Sequence, residues 1–229
     1  MPKLVESPIE LSAAVQDYAK AIYELESRTG SASTTALAER LGVRPASVSG
    51  MLRKLDTLGL AAHERYHGVR LTPSGRKVAL EVLRHHRLLE LYLAESLGLS
   101  WDEVHAEAEV LEHVLSEELE EVIAAKLGNP TLDPHGDPIP TRELAVTDVE
   151  SRSLNDLEPG EKGTLVRVSD SDPEMLRFLE ARGIAPGASF ELIDKQPFDG
   201  PLFVRFGDDV HALGATLARA MRVTADDSR

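Results

Sequence analysis

The sequence predicts a mainly α protein that ends in a small β domain. Three observations predict it. Apolar side chains recur at helical spacing through most of residues 8–58 and 76–128. Residues 60–75 read as two short strands around a turn. Beyond residue 150 the chain breaks into short β-rich runs separated by Gly, Pro and Asp.

The elements follow in order. "PIELSAAVQDYAKAIYELESR" is an amphipathic helix with Val15, Tyr18, Ile22 and Leu25 on its buried side. "STTALAERLGV" is a second helix, with Ser or Thr as N-cap and Gly42 as its stop. "RPASVSGMLRKLDTLGL" opens with Pro45, suited to a first helical turn. Val48, Leu52, Leu55 and Leu58 form its buried stripe, and Gly59 ends it. Two helices around a short Gly-containing turn, followed by "LAAHERYHGVRLTPSG" as a wing, make a winged helix-turn-helix.

Three further helical stretches follow: "GRKVALEVLRHHRLLELYLAESLGL", "SWDEVHAEAEVLEHV" and "SEELEEVIAAKLG". Ser100 with Glu103 predicts a capping box, and Ser116 is expected to head the next helix with another. Residues 129–150 hold four prolines and read as an extended connector. "GTLVRV", "ASFELID" and "PLFVRFG" are then strands of a small barrel-like domain, with "DPEMLRFLEARGI" as a helix between them. The expected boundaries are 1–75 for the winged helix-turn-helix, 76–140 for the helical domain, 141–150 for a linker and 151–229 for the β domain.

A chain of 229 residues has room for more than one small domain. It has no apolar run of about eighteen residues, so no transmembrane helix is expected. The start lacks the basic residues and apolar core of a secretory signal. Cysteine is absent, which excludes disulfides and thiolate metal sites. A cytoplasmic protein is the natural expectation.

The net charge of −14 is unevenly spread. Residues 1–75 carry nine basic and eight acidic residues; the rest carry sixteen and thirty-one. Only the N-terminal part can approach a polyanion. The second helix of the helix-turn-helix is the expected recognition helix. Its outer face offers Arg44, Pro45, Ser47, Ser49, Gly50, Arg53 and Lys54. Small hydroxyls and a glycine suit close approach to a major groove, and the basic residues suit phosphates.

Five of the eight histidines fall between residues 85 and 135, inside the acidic part. On a helix, His105, Glu109, Glu112 and His113 stand at i, i+4, i+7 and i+8, within roughly 100° of circumference. His86 and Glu90 form another i, i+4 pair on the preceding helix. Such pairs let side chains from successive turns converge on one ion. His105 and His113 are about 12 Å apart along the axis, so two sites are expected. One would use His86, Glu90 and His105; the other Glu109, Glu112 and His113 with a ligand from elsewhere. Oxygen and imidazole donors suit Mn²⁺ or Fe²⁺, and Zn²⁺, Co²⁺, Ni²⁺ and Cd²⁺ would also bind in vitro. Elsewhere, His85 points about 100° away from His86 and is expected to be exposed; His135 has no evident partner.

Through "DYAKAIYELE", "LAERLGVRPASVSGMLRKLDTLGL", "RHHRLLELYLAESLGL" and "VHAEAEVLEHVLS", essentially the whole chain resembles the iron- and manganese-dependent repressors of the diphtheria toxin repressor family. The resemblance implies helical dimerisation, a C-terminal SH3-like domain and metal-activated repression of palindromic operator DNA. It implies a primary site of Asp17, Glu109, Glu112 and His113, and a second of His86, Glu90 and His105. That second site would be completed from "DSDPEML" by Asp172 and Glu174, with Asp170 ranked behind them. The iron-responsive members carry Met and Cys where this chain has Asp17 and Glu109, so the manganese-responsive type is favoured. Lys20 replaces an acid of the short manganese regulators, which implies two separated sites rather than a close binuclear one. The alternatives are an iron-responsive regulator of the same fold and a metal-dependent hydrolase; no separate nucleophile or Gly-rich phosphate loop supports an enzyme.

Overall fold

The structure is a computed structural model that describes residues 11–64, 68–147 and 149–226. The chain divides between Arg84 and His85 into two compact units.

The first unit holds α1 (Ala13–Thr29), α2 (Thr34–Arg40), α3 (Pro45–Thr57) and the antiparallel pair β1 (Ala61–Glu64) and β2 (Gly68–Leu71). Ser33 caps α2 by accepting the Ala36 N–H, and Pro45 opens α3 where no backbone donor is needed. Val15, Tyr18, Ile22, Val48 and Leu55, which the spacing predicts, close one core with Leu37 and Val69. Leu58 departs from the expected stripe. It is the C-cap of α3 and exposed, because the chain turns at Gly59 before another helical turn can bury it. Glu26 fastens the wing to α1: its Oε1 accepts the Leu71 N–H at 3.0 Å.

Helix α4 (Pro73–Leu97) leads into the second unit, where α5 (Trp101–Leu111) and α6 (Glu117–Lys126) follow. The Ser100–Glu103 capping box forms at the start of α5. Ser116 caps α6 through the Leu119 N–H alone, because Leu119 at the third position has no group to reciprocate. Leu88, Leu91, Ala108, Ile123 and Ile139 form the helical core.

The segment expected as an extended connector is in its first half a compact loop. Asp133, His135, Asp137 and Ile139 are buried, and the loop bonds to itself through Asp133 N–H to Asp137 O and Ile139 N–H to Thr131 O. The C-terminal strands are β3 (Arg152–Ser153), β4 (Lys162–Val168), β5 (Ser189–Lys195), β6 (Leu202–Phe206), β7 (Asp209–Leu213) and β8 (Met221–Ala225). They form one antiparallel sheet in the order β3-β8-β4-β5-β6-β7, with α7 (Pro173–Glu180) and α8 (Ala215–Ala220) between strands. Two register shifts, between Leu165 and Arg167 and between Leu192 and Asp194, bend the sheet around its own core in the SH3-like manner the sequence predicts. No helix among the described residues is long and apolar enough to cross a membrane.

Candidate metal centre and nucleic-acid face

Glu90 organises the second unit. It sits on α4, 1 % exposed, and three imidazoles surround it. Its Oε1 lies 2.9 Å from His86 Nε2 and 3.0 Å from His105 Nδ1. Its Oε2 lies 3.8 Å from His135 Nδ1. Burial by itself raises the Glu90 carboxyl, but the facing imidazoles outweigh it and hold the group well below the usual carboxylate range. Among the described residues of the second unit, three groups of ligand atoms lie close enough to share an ion: Glu90 with Asp133 and His135, Glu90 with His105 and Asp170, and His86 with His105 and Glu109.

A few ångströms along the helices, His86 meets a second carboxylate. Its Nδ1 lies 2.5 Å from Glu112 Oε2, and Glu112 Oε1 lies 3.6 Å from His113 Nε2. Glu112 is 2 % exposed. Helix α5 stops at Leu111, so Glu112 is its C-cap and His113 lies in the turn beyond. Asp17 is half-buried on α1 of the first unit.

The structure departs from the sequence expectations in four places. Glu109 stands beside His86 and His105, at 3.9 and 3.8 Å. It follows His105 by one helical turn, and both it and Glu112 approach His86 Nδ1. Asp172 is already engaged: its Oδ1 accepts the Glu174 N–H at 2.9 Å as N-cap of α7, and Glu174 is exposed. Asp170 instead reaches the cluster, 3.9 Å from His105 Nδ1. His85 is not exposed: its Nε2 lies 2.9 Å from Glu120 and its Nδ1 3.1 Å from the Glu112 carbonyl. Helix α6 covers it.

Sequence reasoning missed Asp133 and His135. His135 is 1 % exposed, and neither ring nitrogen has a hydrogen bond. Trp101 meets the ring edge-on, 5.9 Å between centroids. The signal was the composition of "DPHGDP", three ligand-type side chains at alternate positions. The loop is held in place by Val168 N–H to His135 O at 2.9 Å and by Gly136. Gly136 has φ +87°, and an added Cβ would lie 2.0 Å from the Val166 carbonyl oxygen. Gly136→Ala should therefore cost about 2–4 kcal/mol of unfolding free energy, read as a lowered denaturant midpoint. A midpoint matching the parent would show that the loop adapts freely.

The expected nucleic-acid residues share one exposed surface of the first unit. Arg44 is the N-cap of α3, and Pro45, Ser47, Ser49, Gly50 and Arg53 are all exposed along it. The Ser49 hydroxyl donates to the Pro45 carbonyl at 3.1 Å. Nothing lies within 4 Å of where a Gly50 Cβ would stand, so packing within the chain does not demand glycine there.

The comparisons with known proteins agree along the chain. Residues 10–69 match the model of the iron dependent repressor N-terminal DNA binding domain. Residues 72–141 match the iron dependent repressor metal binding and dimerisation domain, and residues 152–225 match the FeoA domain. The iron-dependent repressor IdeR of Mycobacterium tuberculosis is 32% identical over 226 residues, covering 93% of this chain and 98% of that protein. The diphtheria toxin repressor of Corynebacterium efficiens is 30% identical over 228 residues, covering 95% and 98%. A solved structure described as a manganese-dependent transcriptional repressor complex with manganese is 41% identical, with a TM-score of 0.87, covering 92% of this chain and 99% of that one.

Proposed function

The chain belongs to the family of metal-dependent transcriptional repressors that includes the diphtheria toxin repressor, and we propose that within it this protein is manganese-responsive, a homodimer that binds a palindromic operator once its His and carboxylate centres are loaded. The family is one of repressors, not enzymes. We assign DNA binding to residues 1–75, metal binding and dimerisation to 76–140, a linker to 141–150 and an SH3-like domain to 151–229, in a cytoplasmic protein.

His135 carries the metal reading. A buried imidazole with no hydrogen bond is costly, and a cation ligated by it supplies the missing partner. Glu90 and Asp133 lie within ligand-sharing distance of it, His105 and Asp170 within that distance of Glu90, and all are donors a divalent ion accepts. We propose these as one centre, and Asp17, Glu112 and His113 as the other; His86 and Glu109 stand beside them. A bound cation supplies the charge that lets carboxylates share one site, and without it their repulsion opposes activation. Manganese is favoured over iron because every donor is oxygen or nitrogen, and because the relative described with manganese is 41% identical.

On the DNA side, Gly50 costs α3 about 1 kcal/mol relative to alanine with no packing return. That suits a helix pressed against a groove, with Ser47 and Ser49 beside base edges and Arg44 and Arg53 on phosphates. Val110, Leu111, Val114, Leu119 and Val122 are exposed on α5, α6 and the turn between them, and we assign them to the dimer face.

Operator fragments selected from a random duplex library test the function by fluorescence anisotropy at fixed salt. Mn²⁺ should tighten binding by about 100-fold. Equal affinity with and without Mn²⁺ would sink metal activation, and stronger activation by Fe²⁺ would favour the iron-responsive alternative.

A further inference from the structure

We propose that Arg87 is an internal counter-cation that competes with a divalent ion for Asp133, and so sets how much metal the centre at Glu90 requires. The inference rests on the metal reading above. Arg87 follows His86 on α4. Its Nε lies 3.7 Å from Asp133 Oδ2, its Nη2 lies 3.5 Å from Asp137 Oδ1, and its Nη1 donates to the Pro138 carbonyl at 2.5 Å. Arg167 of β4 shares Asp137, at 3.3 Å.

The two oxygens of Asp133 have different tasks. Oδ1 accepts the N–H groups of His135 and Asp137, at 2.8 and 2.9 Å, and so shapes the loop. Oδ2 is the oxygen turned toward Arg87. The carboxylate is also within ligand-sharing distance of Glu90 and His135. Two cations therefore have claims on one buried carboxylate. Arg87 stands near enough to compensate that charge and too far to hydrogen-bond it, while its firm bond goes to the Pro138 carbonyl. Such a held-off pair keeps the metal-free loop folded and opposes an incoming cation. A purely mechanical clamp would do the first and not the second.

Calorimetric Mn²⁺ titration and thermal melting of the full chain separate the two roles. Arg87→Gln should bind Mn²⁺ at this centre about tenfold tighter or more, melt lower without metal, and melt near the parent temperature when saturated. Arg87→Lys, which keeps the charge, should bind within a few fold of the parent. If metal-free Arg87→Gln does not fold, its Mn²⁺-loaded form still reports: it should release Mn²⁺ to a chelator more slowly than the parent. Unchanged or weaker affinity, equal melting losses in both forms, or faster release would overturn the inference. His135→Ala is the control for the centre. If that change leaves the Mn²⁺ stoichiometry intact, the centre itself is wrong and the inference falls with it. A lost ion in His135→Ala combined with unchanged affinity in Arg87→Gln overturns Arg87 alone.

Discussion

Glu112→Gln should abolish metal-activated operator binding, lowering affinity at saturating Mn²⁺ by about 100-fold, the upper part of the usual range of coupling between sites. Glu112 is 2 % exposed and its carboxylate lies between His86 Nδ1 and His113 Nε2. Glutamine preserves the shape and removes the charge that a cation needs. The backbone role persists, because the Glu112 carbonyl that meets His85 and the N–H that reaches the Ala108 carbonyl at 2.9 Å are untouched. Metal-free stability should therefore stay close to that of the parent, and affinity for DNA without metal should not change. Anisotropy with the selected operator, with and without Mn²⁺, reads the effect. A variant still activated to within threefold of the parent would remove Glu112 from the ligand set.

The two centres differ in how legible they were. His105 and Glu109 share a helix face because α5 is regular, and the Ser100–Glu103 box marks where that helix starts. His86 and Glu90 follow from the same periodicity on α4. Periodicity stops being informative where a helix stops. Glu112 at the C-cap keeps helical geometry, but what meets it beyond the helix end is not in the spacing. His85 illustrates the same limit: its angle from His86 was correct, but it is covered by α6, an element whose position no local pattern contains. Asp133 and His135 lie in a proline-rich stretch whose composition resembles a solvated connector, yet hydrogen bonds from β4 and from Arg87 of α4 hold it. Asp170 and Asp172 show a choice between two local readings. "DPE" is a helix start, with Asp172 as N-cap and Pro173 in the first turn. Read that way, it leaves Asp170 as the acid that turns toward His105.

Val122→Asp should convert the protein to a monomer and with it remove tight operator binding. Val122 is 62 % exposed on α6, and Val110 on α5 and Val114 in the turn beyond it, at 69 % and 77 %, extend the same kind of uncovered apolar surface. Isolated valines on a surface are ordinary, but this series falls within residues 72–141, the segment matching the dimerisation domain model. In a monomer an aspartate at an exposed helix position costs little, so the fold should persist with a near-parent melting temperature. In a two-fold interface the change places a carboxylate on each side, desolvated and facing apolar neighbours. A penalty of about 2–5 kcal/mol is expected, or roughly 30- to 4,000-fold in dimer dissociation. Operator affinity should fall with it, because a palindrome rewards two recognition helices held together and a single one gains no such advantage. Phe198→Asp provides the control: Phe198 is 101 % exposed between β5 and β6, outside the assigned face, and its replacement should leave the dimer intact. Sedimentation velocity reads the mass directly. A Val122→Asp protein that sediments as a dimer would place the interface elsewhere on the molecule.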